Sequence, residues 1–439
     1  MANPYLPLWE YIPDGEPRVF GDRVYIYGSH DRIAQEGFCD FKLKVWSAPV
    51  SDLNNWQCHG VSFRTADDHG HPADTPWTSR ELFAPDVVEK DGKYYLYAYI
   101  VGSEGAVAVS DHPEGPFTLL GKYNYSDEDA GDNGIFNDAG VLVDDDGRVH
   151  IYYGFTENHY GEIDPADMRT IIPGSYRADM IPRGEGDDDF FEASSPRKIN
   201  GKYYLIYSPR KGSRLFYAIS DSPTGPFRRM GAIIDNGVDY PAGNDHGSVC
   251  CINGQWYIFY HRMTNGSIMQ RQGCVERIEI LPDGTIPQVE MTSLGFEESL
   301  SPYRITPAEI ACVLKGGCFV TEKDIFTRVI TGIKTGSVIG YRYFDFGEDF
   351  SGSDLVFKAQ LIGAGCPAEI HILLDSYDDG EEIGVCRTGT GDGVYTARCK
   401  SVTGRHAVYF RINHPYTSWA ARYYDDRALF ELKSFVFCK

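Results

Sequence analysis

No stretch of this chain approaches the roughly 18 consecutive apolar residues that a membrane-spanning helix needs. Positive charge is also scarce: 41 Lys and Arg stand against 63 Asp and Glu, a net charge of −22. A nucleic-acid backbone or an anionic membrane surface is recognised by clustered basic side chains, so neither is expected as a partner. The first residues, MANPYLPLWEYIPDGEP, have neither the basic nor the apolar region of a secretory leader. The eleven cysteines are odd in number and none lies in a Cys-x-x-Cys pair. Adjacent Cys250 and Cys251 are unsuited to an ordinary bridge. The expectation is reduced thiols in a cytoplasmic chain. Gly-rich phosphate loops, His-Glu-x-x-His and Gly-x-Ser-x-Gly are all missing, which removes the common nucleotide, zinc-protease and serine-hydrolase readings. The run DDDG at 144–147 is only a fragment of a calcium loop and reads as a hairpin turn.

Aromatic side chains are plentiful, with 30 Tyr and 24 Phe. They favour strands, and they offer apolar faces on which a hydroxyl-rich ring can stack. Many of them belong to a repeated phrase, a glycine turn followed by an aromatic strand. It reads GDRVYIYGS from Gly21, DGKYYLYAY from Asp91, DGRVHIYYG from Asp146, NGKYYLIYS from Asn200 and NGQWYIFYH from Asn253. The last four turns are 55, 54 and 53 residues apart. A second phrase occurs as AVSDHPEGPF from Ala108 and as AISDSPTGPF from Ala218. Five units of about fifty residues, each with about four short strands, predict a β-propeller. In that fold one strand of each blade lines a central channel, so residues far apart in sequence meet on the axis.

Acidic residues recur at one place in the unit. Asp14 lies eleven residues before Tyr25, Asp138 twelve before His150, and Glu192 eleven before Tyr203. The second unit has Ala84 and Pro85 at this offset, and the fifth has His246, eleven before Tyr257. Three carboxylates round one axis are costly unless each has a task or a partner. Without a nucleophile or metal motif nearby, the set suits acid–base cleavage of a glycosidic bond. Glu192 follows Phe190 and Phe191, and desolvation there would keep it protonated as the general acid. Asp14, in a Pro-Asp-Gly turn read as open and polar, would stay ionised as the base. Asp138 would raise the pKa of the acid by like-charge repulsion and hold it in place. His246 reads equally as a satisfied core histidine, and Asp86 as a strand-start cap.

These stretches resemble glycoside hydrolase family 43. The matching segments are IPDGEPRVFGDRVYIYGSHD, SRELFAPDVVEKDGKYYLY, FNDAGVLVDDDGRVHIYYG, FFEASSPRKINGKYYLIYS and NDHGSVCCINGQWYIFYHR, within about residues 4–295. The resemblance implies a five-bladed propeller and an inverting mechanism, with Asp14 as base, Asp138 as the residue that tunes and orients the acid, and Glu192 as acid. It implies that His246 helps hold a calcium ion, or an ordered water, in the channel. It places Phe83 beside the terminal sugar and Arg271 in contact with it. Two departures stand out. The base motif of the family reads Asp-Pro, here Asp14-Gly15, and its acid motif reads Glu-Gly-Pro, here EASSP, which marks a distinct subgroup.

The repeat stops after SLGFEESLSPYRI, and the remaining residues alternate as strands with glycine turns. They resemble a family 6 carbohydrate-binding module, a jelly roll. Tyr395 stands where such modules usually place a tryptophan. The acidic residue that helps bind their structural calcium is replaced in the stretch Glu431-Leu432-Lys433, although Glu309 remains a candidate ligand. The expectation is therefore an all-β chain: a five-bladed β-propeller over 1–300, then a β-sandwich over 301–439. Its expected function is exo-hydrolysis of terminal α-L-arabinofuranose or β-D-xylose from plant-cell-wall oligosaccharides. The rival readings are a sugar-binding propeller without catalysis, and a phosphorylase or transferase using Lys198, Arg210 and Lys211 near the acid.

Overall fold

A computed structural model describes residues 2–67, 69–102, 105–124, 136–184, 186–350, 354–419 and 421–439. The glycine turns sit where two strands must reverse within two residues. Asp91 and Gly92 have φ of 53° and 76°, Asn200 and Gly201 of 51° and 78°, and Asn253 and Gly254 of 49° and 81°. Paired left-handed residues give the tight turn whose twist matches that of the flanking strands. The aromatic phrase after each turn forms the second strand of a sheet: Arg23–Tyr27, Lys93–Ile100, Val149–Tyr153, Lys202–Pro209 and Gln255–Thr264. The first strands are Glu16–Phe20, Leu82–Lys90, Gly140–Val143, Phe190–Ile199 and Ser248–Ile252.

Four of these sheets have four antiparallel strands in sequence order, and the fifth has three. The N-terminal segment hydrogen-bonds along the third strand of that sheet, Ser267–Ile278. Tyr5 N donates to Gly273 O (3.3 Å), and the Asn3 side chain both accepts from and donates to Val275 (2.9 Å each). The first strands stand side by side. Glu16–Phe20 touches both Leu82–Lys90 and Ser248–Ile252, and Gly140–Val143 lies between Leu82–Lys90 and Phe190–Ile199. Ser195 donates to Ser248 (2.7 Å) and Arg197 to Val249 O (3.0 Å), which closes the ring. The arrangement fits five blades round an axis.

Buried charges tie the inner strands together. Arg18 grips Asp86 through Nε (3.0 Å) and Nη2 (2.6 Å), and Asp86 also accepts from the amides of Val87 and Val141. Asp86 is thus a three-strand tie and not the strand cap expected from its sequence. Arg197 donates to Glu16 across the ring (2.7 Å).

The rest of the chain forms two antiparallel sheets, one of six strands and one of five. Their facing sides share aromatic side chains: Phe410 lies 5.2 Å from Phe357 and 4.9 Å from Phe435, and Tyr341 lies 4.7 Å from Phe435. One apolar core runs from the fourth and fifth propeller-like sheets into these two. At the seam, fully buried Arg262 donates to the carbonyls of Ala311 (2.7 Å) and Glu309. Asp239 accepts from Lys315 (2.8 Å) and Arg342 (3.2 Å). The fold is all-β; among the described residues its only helical pieces are the 3-10 turns Ala308–Ile310 and Ala421–Tyr423. No helix of the described residues is long and apolar enough to cross a membrane. All eleven cysteines are free.

Candidate active site

A left-handed residue recurs at the entry to the first strands: Asp14 (φ 56°), Ala84 (35°), Asp138 (47°) and Ala193 (67°). Non-glycine residues at positive φ are uncommon, and Asp tolerates the conformation better than most. The bend falls at the same end of each sheet, so the neighbouring side chains converge. Gly28 allows this in the first sheet: a Cβ there would lie 2.3 Å from Pro13 O, the carbonyl just before Asp14.

The convergence point is a cavity of about 320 Å³. Asp14, Phe83, Asp138, Glu192, His246 and Arg271, the six candidates from sequence, all line it. Phe38, Tyr99, Val101, Asn137, Phe191 and Asn244 complete the wall, and of these only Phe191 entered the sequence reading, as a neighbour that desolvates Glu192. Phe38, Phe83, Tyr99 and Phe191 supply apolar faces. Asn244 Oδ1 is buried with no hydrogen-bond partner among the described residues, and the buried Asn137 amide lies close enough to Glu192 to favour its ionised form. A buried side-chain amide and an unpaired acceptor on an aromatic wall suit the hydroxyls of a sugar.

Asp14 is buried, 4% exposed, not in the open turn that its sequence suggested. Arg271 Nη1 donates to its Oδ1 (2.8 Å) and Ser29 Oγ to its Oδ2 (2.6 Å). His261 Nδ1 lies 3.3 Å from Oδ1, and His261 Nε2 lies 3.2 Å from Asn244 O. Burial alone would raise the Asp14 pKa. The charge of Arg271, with a hydrogen bond from His261, overrides burial and holds the carboxyl well below the usual range. Arg271 is aimed by Asp31, which accepts from its Nε and Nη2 (3.0 Å each) and its backbone N (2.8 Å). The Phe38 ring stacks on the guanidinium at 5.0 Å.

The other two acids go the opposite way. Burial, then the charge of Asp14, pushes Glu192 up to about 7. Burial, Glu192 and Asp14 push Asp138 well above the ordinary value. Protonated forms are therefore favoured on one side of the cavity and an ionised carboxylate on the other.

His246 Nδ1 stands 3.8 Å from Asp138 Oδ2 and 4.0 Å from Asp14 Oδ1. Burial pushes its pKa down, against the pull of Asp14, so the ring is neutral as a metal ligand must be. Glu16, close enough to act on His246 electrostatically, has a buried Oε1 without a partner among the described residues. Calcium takes six to eight oxygen ligands, and no cluster of three or more His, Cys, Asp or Glu among the described residues forms a metal cage. His246 and Glu16 Oε1 are the protein donors at this point of the channel that a hydrated ion would use.

The basic residues of the phosphorylase reading are engaged elsewhere. Lys198 pairs with Asp144 and with Asp145 (2.8 Å), Lys211 with Asp187 (2.9 Å), and Arg210 lies 4.0 Å from Asp189. None lines the cavity. Asp144, in the turn DDDG, is buried against Lys198 and Tyr203.

Residues 12–286 match the model of glycosyl hydrolases family 43. The chain belongs to this family. This family 43 glycoside hydrolase is 39% identical over 401 residues to a xylosidase/arabinosidase of Thermoclostridium stercorarium, covering 78% of this chain and 82% of that protein. Among solved structures it resembles a family 43 β-xylosidase/α-arabinofuranosidase from a compost microbial metagenome, in complex with xylotriose and in a calcium-free form. The TM-score is 0.54 at 29% identity, over 64% of this chain and 95% of that one. It also resembles an arabinoxylan arabinofuranohydrolase of Bacillus subtilis in complex with cellotetraose, over 100% of this chain and 97% of that one. At 23% identity and a TM-score of 0.56, that likeness speaks for the fold alone.

Proposed function

We propose that this family 43 hydrolase is exo-acting and inverting, and removes terminal α-L-arabinofuranosyl or β-D-xylosyl units from plant-cell-wall oligosaccharides. The observation that carries the reading is the opposed ionisation within one aromatic cavity: Asp14 held ionised, Glu192 held protonated. The names of the xylosidase/arabinosidase relatives support the choice of pentose. The fold reading is a five-bladed propeller over 1–300 and a β-sandwich resembling a carbohydrate-binding module over 301–439. It is supported by the ring of first strands, the two face-packed sheets and the likeness to the Bacillus subtilis enzyme over the whole chain. A cytoplasmic location is part of the proposal, supported by eleven unpaired thiols.

The terminal pentose stacks on the Phe83 face, with its hydroxyls on Asn137 and Asn244. A water between Asp14 and the anomeric carbon gives its proton to the carboxylate as its oxygen attacks that carbon. The glycosidic C–O bond breaks on the other side, and its electron pair takes the proton of Glu192. Asp138 keeps the Glu192 proton in place until then. Arg271 and Ser29 fix the rotamer of Asp14, so the orientation exists before substrate arrives. Calcium, held by His246 and water, would add positive charge at the base of the pocket; none of these steps needs it.

Two substitutions test the roles. Glu192→Gln should cut turnover of oligosaccharides by about 10²–10⁴-fold or more. It should cut aryl pentosides far less, because a good leaving group needs no proton. Asp14→Asn should cut both alike. Small and equal losses for both variants would remove these residues from the mechanism.

A further inference from the structure

His261 is wholly buried, and its two ring nitrogens face two different residues of the catalytic cavity. Alternation along the strand Gln255–Thr264 sends Arg262 to the carbonyls of the C-terminal sheets and His261 the other way. Across the hairpin His261 pairs with Gly273. The incoming N-terminal segment lies directly on Gly273: Tyr5 N donates to its carbonyl, and a Cβ there would lie 3.0 Å from Ile12 O. With no side chain at 273, the segment that leads to Asp14 comes within reach of the ring. Nδ1 lies 3.3 Å from Asp14 Oδ1 and 3.4 Å from Asp14 N. One nitrogen thus touches both the carboxylate and the backbone amide of a residue held in the left-handed region, at φ 56°.

Nε2 reaches Asn244 O at 3.2 Å. A carbonyl only accepts, so Nε2 carries a proton. Asn244 belongs to the segment 236–247 that joins the fourth sheet to the fifth, and it lines the cavity. The same segment is pinned to His261 twice more. Asn236 Nδ2 donates to His261 O (2.6 Å), and His261 N donates to Asp245 Oδ1 (3.1 Å). Arg271 and Ser29 hold the Asp14 carboxylate itself, whereas His261 ties it to the Asn244 wall.

We propose that His261 is a positioning residue that sets the gap between the base and the wall that seats the sugar. The inference rests on the glycosidase reading above and deepens it. Inversion needs the water on Asp14 in line with the anomeric carbon, and the sugar hydroxyl on Asn244 places that carbon. A contact at each ring nitrogen fixes the plane of the imidazole, so Asp14 and Asn244 keep one spacing although they enter from different sheets. The two nitrogens then serve different parameters. Nδ1 aligns the attack and acts on kcat, while Nε2 seats the sugar and acts on KM.

An asparagine amide stands where Nδ1 is, and a glutamine amide where Nε2 is, so two conservative variants separate the contacts. The substrates are 4-nitrophenyl β-D-xylopyranoside and the matching α-L-arabinofuranoside. His261→Gln, which loses the contact with Asp14, should lower kcat by about tenfold or more and leave KM within about twofold. His261→Asn, which loses the contact with Asn244 O, should raise KM by about fivefold and lower kcat far less. In an Asp14→Asn background His261→Gln should cost little further, because residues of one network are not additive. A role in packing alone would recur in that background and would move both variants alike. Equal changes of kcat and KM in the two variants, or the full tenfold loss recurring beside Asp14→Asn, would overturn the proposal and leave the glycosidase reading intact. A wild-type protein that cleaves neither aryl pentoside would instead overturn the glycosidase reading.

Discussion

Arg271 decides how Asp14 ionises. Its charge is the largest influence that opposes burial at Asp14, whereas at Glu192 and Asp138 burial prevails. With Asp14 held low, the acid limb of the pH profile of kcat/KM should not come from the base. The alkaline limb belongs to the coupled pair Asp138 and Glu192, and activity should fall as pH rises through about 7. The same shift bears on stability. A carboxyl raised in the folded state stabilises most below its unfolded pKa, and that contribution is lost as pH rises through the folded one. Glu192→Gln should therefore melt higher than the wild type at pH 8 and show no such gain at pH 4, by differential scanning calorimetry. The three acids and His246 were legible because they share one offset in a repeat. Ser29, Asp31 and His261 were not. Each acts from a single position with no counterpart in another unit, and polar residues of these types are common anywhere. The ionised state of Asp14 was foreseen for the wrong reason: a Pro-Asp-Gly turn looks solvated in sequence, and only the packed ring shows it buried beside Arg271.

At the scale of elements, the aromatic strands and glycine turns were legible because a two-residue hairpin needs left-handed residues that few side chains tolerate. The missing fourth strand of the fifth sheet was not, because Asn3 and Tyr5 take part through contacts to residues some 270 positions away that no local pattern records. Nor was the role of Asp86, which depends on Arg18 in another sheet. That buried pair gives a sharp expectation. Asp86→Ala leaves the Arg18 charge and the Val141 amide without their partner. Removing one member of a buried pair costs about 3–5 kcal/mol, which urea unfolding should record as a lower midpoint.

For the whole molecule, the ring matters more than any one sheet. It brings His246 and Glu16 to one channel, where a water-coordinated calcium is proposed. Prolonged chelation should lower the melting temperature or activity, and added calcium should restore it; no change would return His246 to a water-binding role. The C-terminal strands were legible as strands, but the seam was not. Arg262 at Ala311 and Phe319 beside Gly266 join segments whose sequences carry no shared pattern. The ring also sets the stereochemistry. Asp14 and Glu192 enter from the first and fourth sheets, which are not neighbours among five, so the base and the acid approach the sugar from different sides. Inverting sites keep their carboxyl groups roughly 6.5–9.5 Å apart, leaving room for a water, against roughly 5–5.5 Å in retaining ones. Time-resolved NMR of the first sugar released tests this most directly. The account predicts the anomer opposite to that of the substrate, before mutarotation. A retained anomer appearing first, or a glycosyl group trapped on Asp14, would contradict it and make Asp14 a nucleophile.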